Sequence, residues 1–413
     1  MVKSIFNFPN KYSFLDDLLA GITIGIVTIP QAMAFAILAG IPPIYGLYGS
    51  FIPLLIYGLL SSSNYLNVGP VSIVSIFIFD ILSKNVQPFT TEYINDLIIL
   101  GVMVGVIQFL FGVFGFGKFL RYIPLSIISG FIQAAAIVII VSQFTTAFGI
   151  EFPVDGLKKI PYLFSNLHEL KLNTTLLFLI SIIFLFIFAK FFPRFPTSIS
   201  LVLITGILSY LFDFEKYGLL LIGEVPKGLP KLIFPILDIE VLKYLPGAFG
   251  IAFITSIGSS IMAIKLEPKQ PKKIKLNREY ISLGLAKIIS SFFGSMLSAG
   301  SFNRTILAYK IGGKTQITGI VSSIIILFTI LYLTPVVYYF PQSVIAAIIV
   351  YSVYFLFDFD LMIKLWREDK IELSYLFVTM LFTLFIGFVE GIFLGVLIKY
   401  LGDYFYKKKI NLS

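Results

Sequence analysis

The chain has no cysteine, one histidine and one tryptophan in 413 residues. The missing thiols exclude disulfides, thiolate metal sites and thiol nucleophiles. The one histidine, His168, lies in a polar stretch from Asn166 to Asn173 and reads as a loop residue, so no metal and no cofactor is expected. Charge is scarce too: Asp, Glu, Lys and Arg make up 13% of the chain, against roughly 25% in soluble domains. No small-residue cleavage site follows Lys3, Lys11, Asp16 and Asp17 ahead of the first apolar run, so no removable leader is expected.

What is abundant is apolar. Hydrophobic residues make up 58%, with 44 Phe and 22 Tyr. That is too much for one globular core and suits lipid-facing helices with interfacial aromatic belts. Runs long enough to cross a core of about 30 Å fall near 18–39, 44–60, 97–117, 123–147, 174–192, 197–212, 245–264, 280–297, 315–334, 341–357, 372–389 and 390–406. Two shorter runs, about 70–82 and 302–313, read as half-helices. These are tolerated at membrane depth where protein or a wet cavity satisfies their backbone. Fourteen segments put both termini on one side.

The charge distribution agrees. With cytoplasmic termini, twenty basic residues fall inside: Lys3, Lys11, Lys118, Arg121, Lys190, Arg194, seven from Lys265 to Lys287, Lys364, Arg367, Lys370, Lys399 and Lys407–Lys409. Eight fall outside: Lys84, Lys158, Lys159, Lys171, Lys216, Lys227, Lys231 and Lys243. The bias satisfies the positive-inside rule. The net charge of +9 therefore reads as topology, and no nucleic-acid partner is expected.

Each half-helix is third in its set of seven. An odd number makes the second set enter from the opposite face, so the expectation is an all-α polytopic membrane protein of two inverted repeats. Paired interrupted segments point to a midplane site. The opening run from Asp17 to Leu59, with Pro30-Gln31, Ala39-Gly40, Pro42-Pro43 and Gly46-Leu47-Tyr48, resembles the amino-terminal signature of the sulfate permease (SulP) family. Gly69-Pro70, "GSFNRT…GGKTQITGI" from Gly300 and "LWREDK" (Leu365 to Lys370) extend the likeness over nearly the whole chain. The resemblance implies fourteen segments divided into core and gate domains. It implies alternating-access transport of sulfate, bicarbonate, chloride or similar anions in the cell (plasma or inner) membrane, by a homodimer. The division expected is one transmembrane domain over 1–413, with repeats of about 14–212 and 243–407. The family's usual STAS domain is expected to be absent after "YKKKINLS". No enzyme is expected, since Glu390 is the one acid that reads as deep.

Two half-helix N-termini meeting at the midplane would offer two positive dipole ends and free N–H groups to an anion. Pro70, Val71, Ser72, Ser301, Phe302, Asn303 and Arg304 are the expected substrate contacts, with Pro70 in the first helical turn. A membrane-buried Arg304 is expected to serve the anion, the alternatives being a carboxylate partner or snorkelling. Lys310 and Lys314 read as helix-end charges. Pro30 is expected to perturb the first span, turning Gln31 and, one turn on, Phe35 towards the pocket; helix–helix bonding and core packing are the alternatives. In the eighth span Thr255 stands where many family members place a carboxylate. With Ser256 and Ser259 it forms a candidate pocket or Na+ site, or a close-packing face. A hydroxyl does not titrate near neutrality, so exchange or uncoupled movement is expected over proton coupling. An anion channel or a Na+-coupled bicarbonate symporter remain the alternatives.

Overall fold

The computed structural model describes residues 11–117, 124–150, 156–191, 197–224, 227–236, 239–354 and 356–410. Lys3, Lys118, Arg121 and Arg194 lie outside the described residues, as do the side chains of Lys11, Lys265 and Lys407–Lys409. The first half runs α1 (Lys11–Leu38), α2 (Pro43–Leu60), strand β1 (Val68–Gly69), α3 (Ser72–Leu82), α4 (Thr91–Val113) and α5 (Leu125–Ser142). After α5 come α6 (Phe144–Phe148), α7 (Lys159–Ser165), α8 (Leu172–Phe191) and α9 (Thr197–Phe212). The second half runs α10 (Leu245–Leu266), α11 (Leu276–Ser291), strand β2 (Ala299–Gly300), α12 (Phe302–Ile311) and α13 (Ile317–Phe328). A π-turn ahead of Pro335 joins α13 to α14 (Thr334–Val337), and α15 (Gln342–Tyr354), α16 (Phe359–Glu368), α17 (Lys370–Phe385) and α18 (Phe388–Ile410) follow.

The packing itself shows the repeat. Place α1, α2, α3 and α4 onto α10, α11, α12 and α13, and α5, α8 and α9 onto α15, α17 and α18. Packing then maps onto packing: α1–α13 becomes α10–α4, α2–α13 becomes α11–α4, and α1–α12 becomes α10–α3. Likewise α8–α15 becomes α17–α5 and α8–α9 becomes α17–α18, while α2–α11 and β1–β2 map onto themselves. Two units of seven related this way enter the bilayer from opposite faces. The helices also sort into two bodies. One holds α1–α4 with α10–α13, and the other holds α5, α6, α8 and α9 with α15, α17 and α18.

Among the described residues seven helices, counting stacked pieces together, are long and apolar enough to span by length and composition, where twelve are expected. The shorter spans α9, α11, α15 and α17 have 16, 16, 13 and 16 residues. Three further expectations change. α1 runs unbroken through Pro30, and α10 is continuous as well, because one lost N–H does not break a helix held on several sides. Lys287 does not sit in a loop: it is 1% exposed inside α11, leaving nineteen basic residues against eight. Glu390 is exposed in the first turn of α18, and among the described residues the buried carboxylates are Asp17 and Glu279.

Both buried acids are fully engaged and fix loops. Glu279 accepts from Tyr57, from the Ser62 amide and hydroxyl and from the Ser63 amide, anchoring the turn that leads into β1. Asp17 accepts the amides of Lys314 and Thr315 and the hydroxyls of Thr315 and Thr318, at the N-terminus of α13. Lys314 pairs with Asp16 at 2.6 Å and Lys310 is exposed in the last turn of α12, so both are helix-end charges as expected. His168 is an exposed residue of a short 3-10 turn.

α4 crosses α11 closely, where Gly105 faces Gly284. A Cβ on Gly284 would meet Phe109 N at 2.5 Å and Gly105 O at 2.7 Å. Backbone cannot yield as a side chain does, and overpacking costs about 1–3 kcal/mol or more. Gly284→Val is therefore expected to lower the melting temperature of the detergent-solubilised protein by several degrees. An unchanged melting curve would show that the crossing is looser than described.

Candidate functional site

The two strands are two residues each and pair antiparallel, Val68 with Gly300 and Gly69 with Ala299. They lie where the chain turns from an entering loop into a half-helix in each repeat. Neither half-helix is capped by a side chain. Ser75 N is bonded back to Val71 O and Thr305 N to Ser301 O. The amides of Ser72, Ile73 and Val74, and of Phe302, Asn303 and Arg304, therefore have no intrahelical acceptor. α3 begins at Ser72, so Pro70 precedes the N-cap Val71 instead of occupying the first turn.

These ends open on a cavity of about 130 Å³, an order of magnitude above the ~10–15 Å³ that admits one water. Gln31 and Phe35 of α1, Val71, Ser72 and Ile73, Thr255 and Ser259 of α10, and Ser301, Phe302 and Asn303 line it. The second body adds Ile127, Ile128, Phe131 and Ile132 of α5, with Leu356 and Ile392. Every polar lining side chain belongs to the first body, and the wall given by the second is apolar. Ile127 and Ile128 lie at the start of α5 and Leu356 just past the end of α15, so the cavity reaches towards the face where α1 begins.

No Asp, Glu, Lys or Arg lines the cavity among the described residues, and no cluster of three or more potential metal ligands occurs among them. Thr255 Oγ1 donates to Ile251 O at 2.7 Å, committing its proton to the backbone. Ser259 Oγ accepts the Gly300 amide at 3.0 Å and keeps its own proton for the cavity. A Cβ on Gly300 would meet Ser259 Cα at 3.1 Å, so only glycine lets β2 approach α10 this closely. Ser256 faces the other way and accepts from Gln108.

Arg304 is placed differently from the expectation. It is 1% exposed and not among the lining residues. Its Nε donates to Asn67 Oδ1 and its Nη2 to Pro70 O, each at 3.0 Å. The expected alternatives, a carboxylate or the surface, are not its partners either. The guanidinium lies behind the strand pair over Gly69, whose Cβ would stand 3.0 Å from Nη2. Arg304 Nη1 and Asn67 Nδ2 have no partner. Asn67 also accepts the Ser301 amide and donates its own amide to Thr305, lacing the two repeats together. The sequence reading missed Asn67, although a polar residue just ahead of "VGP" is its one signal. The apolar wall from α5 leaves none, because an apolar side chain does not tell whether it faces lipid, protein or a cavity.

Comparison with known proteins fits this geometry. The profile described as the sulfate permease family matches residues 14–379. The chain belongs to that family. It is 34% identical over 394 residues to a protein of Arabidopsis thaliana named probable sulfate transporter 4.2, covering 92% of this chain and 57% of that one. The chain thus spans little more than half the length of such a relative. Murine Solute Carrier 26 family member A9, an anion transporter solved in the inward-facing state, superposes with a TM-score of 0.89 at 26% identity, over 98% of this chain and 71% of that one. The transmembrane domain of a cyanobacterium bicarbonate transporter shares the fold, with a TM-score of 0.82 at 20% identity, over 94% of this chain and all of that one.

Arg304 supports the crossing as well as its charge. Arg304→Ala leaves Pro70 O and Asn67 Oδ1 without donors, at about 1–3 kcal/mol for each buried group. Both the melting temperature and uptake of labelled sulfate are expected to fall. Arg304→Lys keeps the charge without the planar fork and is expected to restore part of each. Uptake lost with melting unchanged would show that these contacts contribute nothing to the fold.

Proposed function

We propose that the protein is a secondary transporter of small inorganic anions, working by alternating access, with exchange or uncoupled movement instead of proton coupling. The anion sits between 71–73 and 301–303, bordered by Gln31, Phe35 and Ser259. The observation that carries this reading is the pair of uncapped half-helix N-termini on a cavity with no carboxylate among its described lining residues. Each terminus supplies about half a positive charge and several amides, and an anion is the ligand such a site favours.

The division of labour between the bodies supports alternating access. The hydrogen bonds that build the site stay within the first body: Gly300 to Ser259, Ser301 and Arg304 to Asn67. Ties such as Ser126 and Lys399 to Glu372 stay within the second. An anion held by the first body can move past an apolar wall without breaking polar contacts to it. The excess of basic residues on the side that carries both termini supports a cytoplasmic location for them. Relatives carrying sulfate in their names make sulfate the first probe.

In proteoliposomes, labelled sulfate is expected not to be driven to accumulate by an imposed proton gradient, and its uptake to accelerate when unlabelled sulfate, bicarbonate or chloride is loaded inside. Thr255→Glu is expected to introduce a proton-gradient dependence, since a carboxyl titrates where a hydroxyl does not. Uptake by the unmodified chain driven by a proton gradient alone would overturn the exchange reading. Flux that neither saturates nor responds to inside anion would favour a channel.

A further inference from the structure

We propose that Lys287 is a positioning residue of the anion site, its ammonium tightening anion binding across α10; this rests on the anion-transport reading above. Lys287 is among the largest fully buried side chains, 1% exposed in the middle of the first body. Its Nζ donates to Gln108 Oε1 on α4 at 2.5 Å, and Gln108 Nε2 donates to Ser256 Oγ on α10 at 2.9 Å. Ser256 follows Thr255 and precedes Ser259 by three residues, and both of those line the cavity. The chain from Lys287 therefore ends on the back of the helix whose front faces the anion.

No carboxylate contacts Lys287 from any helix packed on it. α4 presents Gln108, while its acids Glu92 and Asp96 lie in its first two turns, Asp96 accepting from Tyr244. α10 presents Ser256, and its Ser260 is bonded to Tyr280. α2 presents Tyr57, whose hydroxyl goes to Glu279. On α11 itself, Glu279 lies eight residues away, about 12 Å along the axis. It is already engaged by Tyr57, Ser62 and Ser63. An ammonium has three protons to donate, and one acceptor is in place.

Charge buried in a membrane is expensive and calls for a counter-charge. With none fixed nearby, the exchangeable anion in front of α10 supplies it. Coulomb attraction falls off slowly where the dielectric is low. Coupling between two binding events is reciprocal: the anion favours the protonated lysine, and the protonated lysine favours the anion by the same factor. Deprotonation at alkaline pH removes that help, so affinity falls as pH rises, with no proton gradient involved.

The test is labelled sulfate uptake into proteoliposomes at equal inside and outside pH, from mildly acidic to alkaline, with melting temperatures for every variant. The unmodified chain is expected to show a rising KM as pH rises. Lys287→Met, similar in length and apolar, is expected to raise KM about ten-fold at the acidic end, with Vmax little changed and the pH profile flat. Lys287→Arg is expected to keep KM low and also flat, because a guanidinium stays charged. Gln108→Glu pairs the lysine internally and is expected to raise KM while the lysine remains. The proposal is overturned if Lys287→Met keeps the native KM and pH profile, or if only Vmax and melting fall. Should Lys287→Met not fold, an unchanged KM in Gln108→Glu overturns it. If the unmodified chain takes up no labelled sulfate, bicarbonate or chloride, the transport reading fails, and this inference with it.

Discussion

Four residues paired in the centre of a helical protein, Val68 and Gly69 with Ala299 and Gly300, hold the rest of the site in place. Two extended segments at membrane depth leave backbone groups that lipid cannot satisfy. Pairing with each other is what makes both segments tolerable at once. The pairing fixes the start of each half-helix, and thereby where two sets of amides without an intrahelical acceptor point. The surrounding contacts serve this junction: Arg304 and Asn67 clamp it from behind, Ser259 holds β2 against α10, and Glu279 anchors the turn entering β1.

The electrostatics follow from the same constraint. The cavity holds no acid among its described lining residues, while dipole ends and a buried guanidinium lie around it. None of the positive contributions requires a charged side chain in the cavity itself. On the proposed reading Arg304 would act through one layer of backbone, and an anion in the cavity would meet amides, an amide side chain and serine hydroxyls. Such a site offers a solvation shell without a strong single contact, which suits a ligand that must be released on the far side. Binding groups on one body and an apolar wall on the other permit the two to shift without rupturing a polar network.

Much of this could be read from the chain, and the reasons differ by element. The half-helices were legible because Gly69-Pro70 and "GSFNR" interrupt apolar runs at matching positions in two sets of seven. Gln31, Phe35, Thr255 and Ser259 line the cavity as their spacing suggests, since residues four apart share a helix face. Pro30 misled, because a proline signals a lost hydrogen bond but not whether neighbours hold the helix straight. Arg304 was legible as a buried cation but not in its direction; which way a long side chain turns depends on acceptors such as Pro70 O that only the fold assembles. Lys287 sits close to a basic loop and was counted with it, since sequence proximity to Lys272–Arg278 outweighed its position within α11. The α5 wall carried no signal, because its cavity-facing residues Ile127, Ile128, Phe131 and Ile132 are apolar, and an apolar side chain does not tell whether it faces lipid, protein or a cavity.

The central claim is that the transported anion is held between two half-helix N-termini, by backbone amides. The most direct measurement is a structure of the purified protein in lipid with selenate, located by its selenium anomalous signal. The account predicts one peak in the cavity, within hydrogen-bonding distance of the amides of Ser72–Val74 and Phe302–Asn303, with Ser259 beside it. A cavity empty at a selenate concentration that saturates transport, or a peak lying elsewhere and contacting neither helix end, would contradict it.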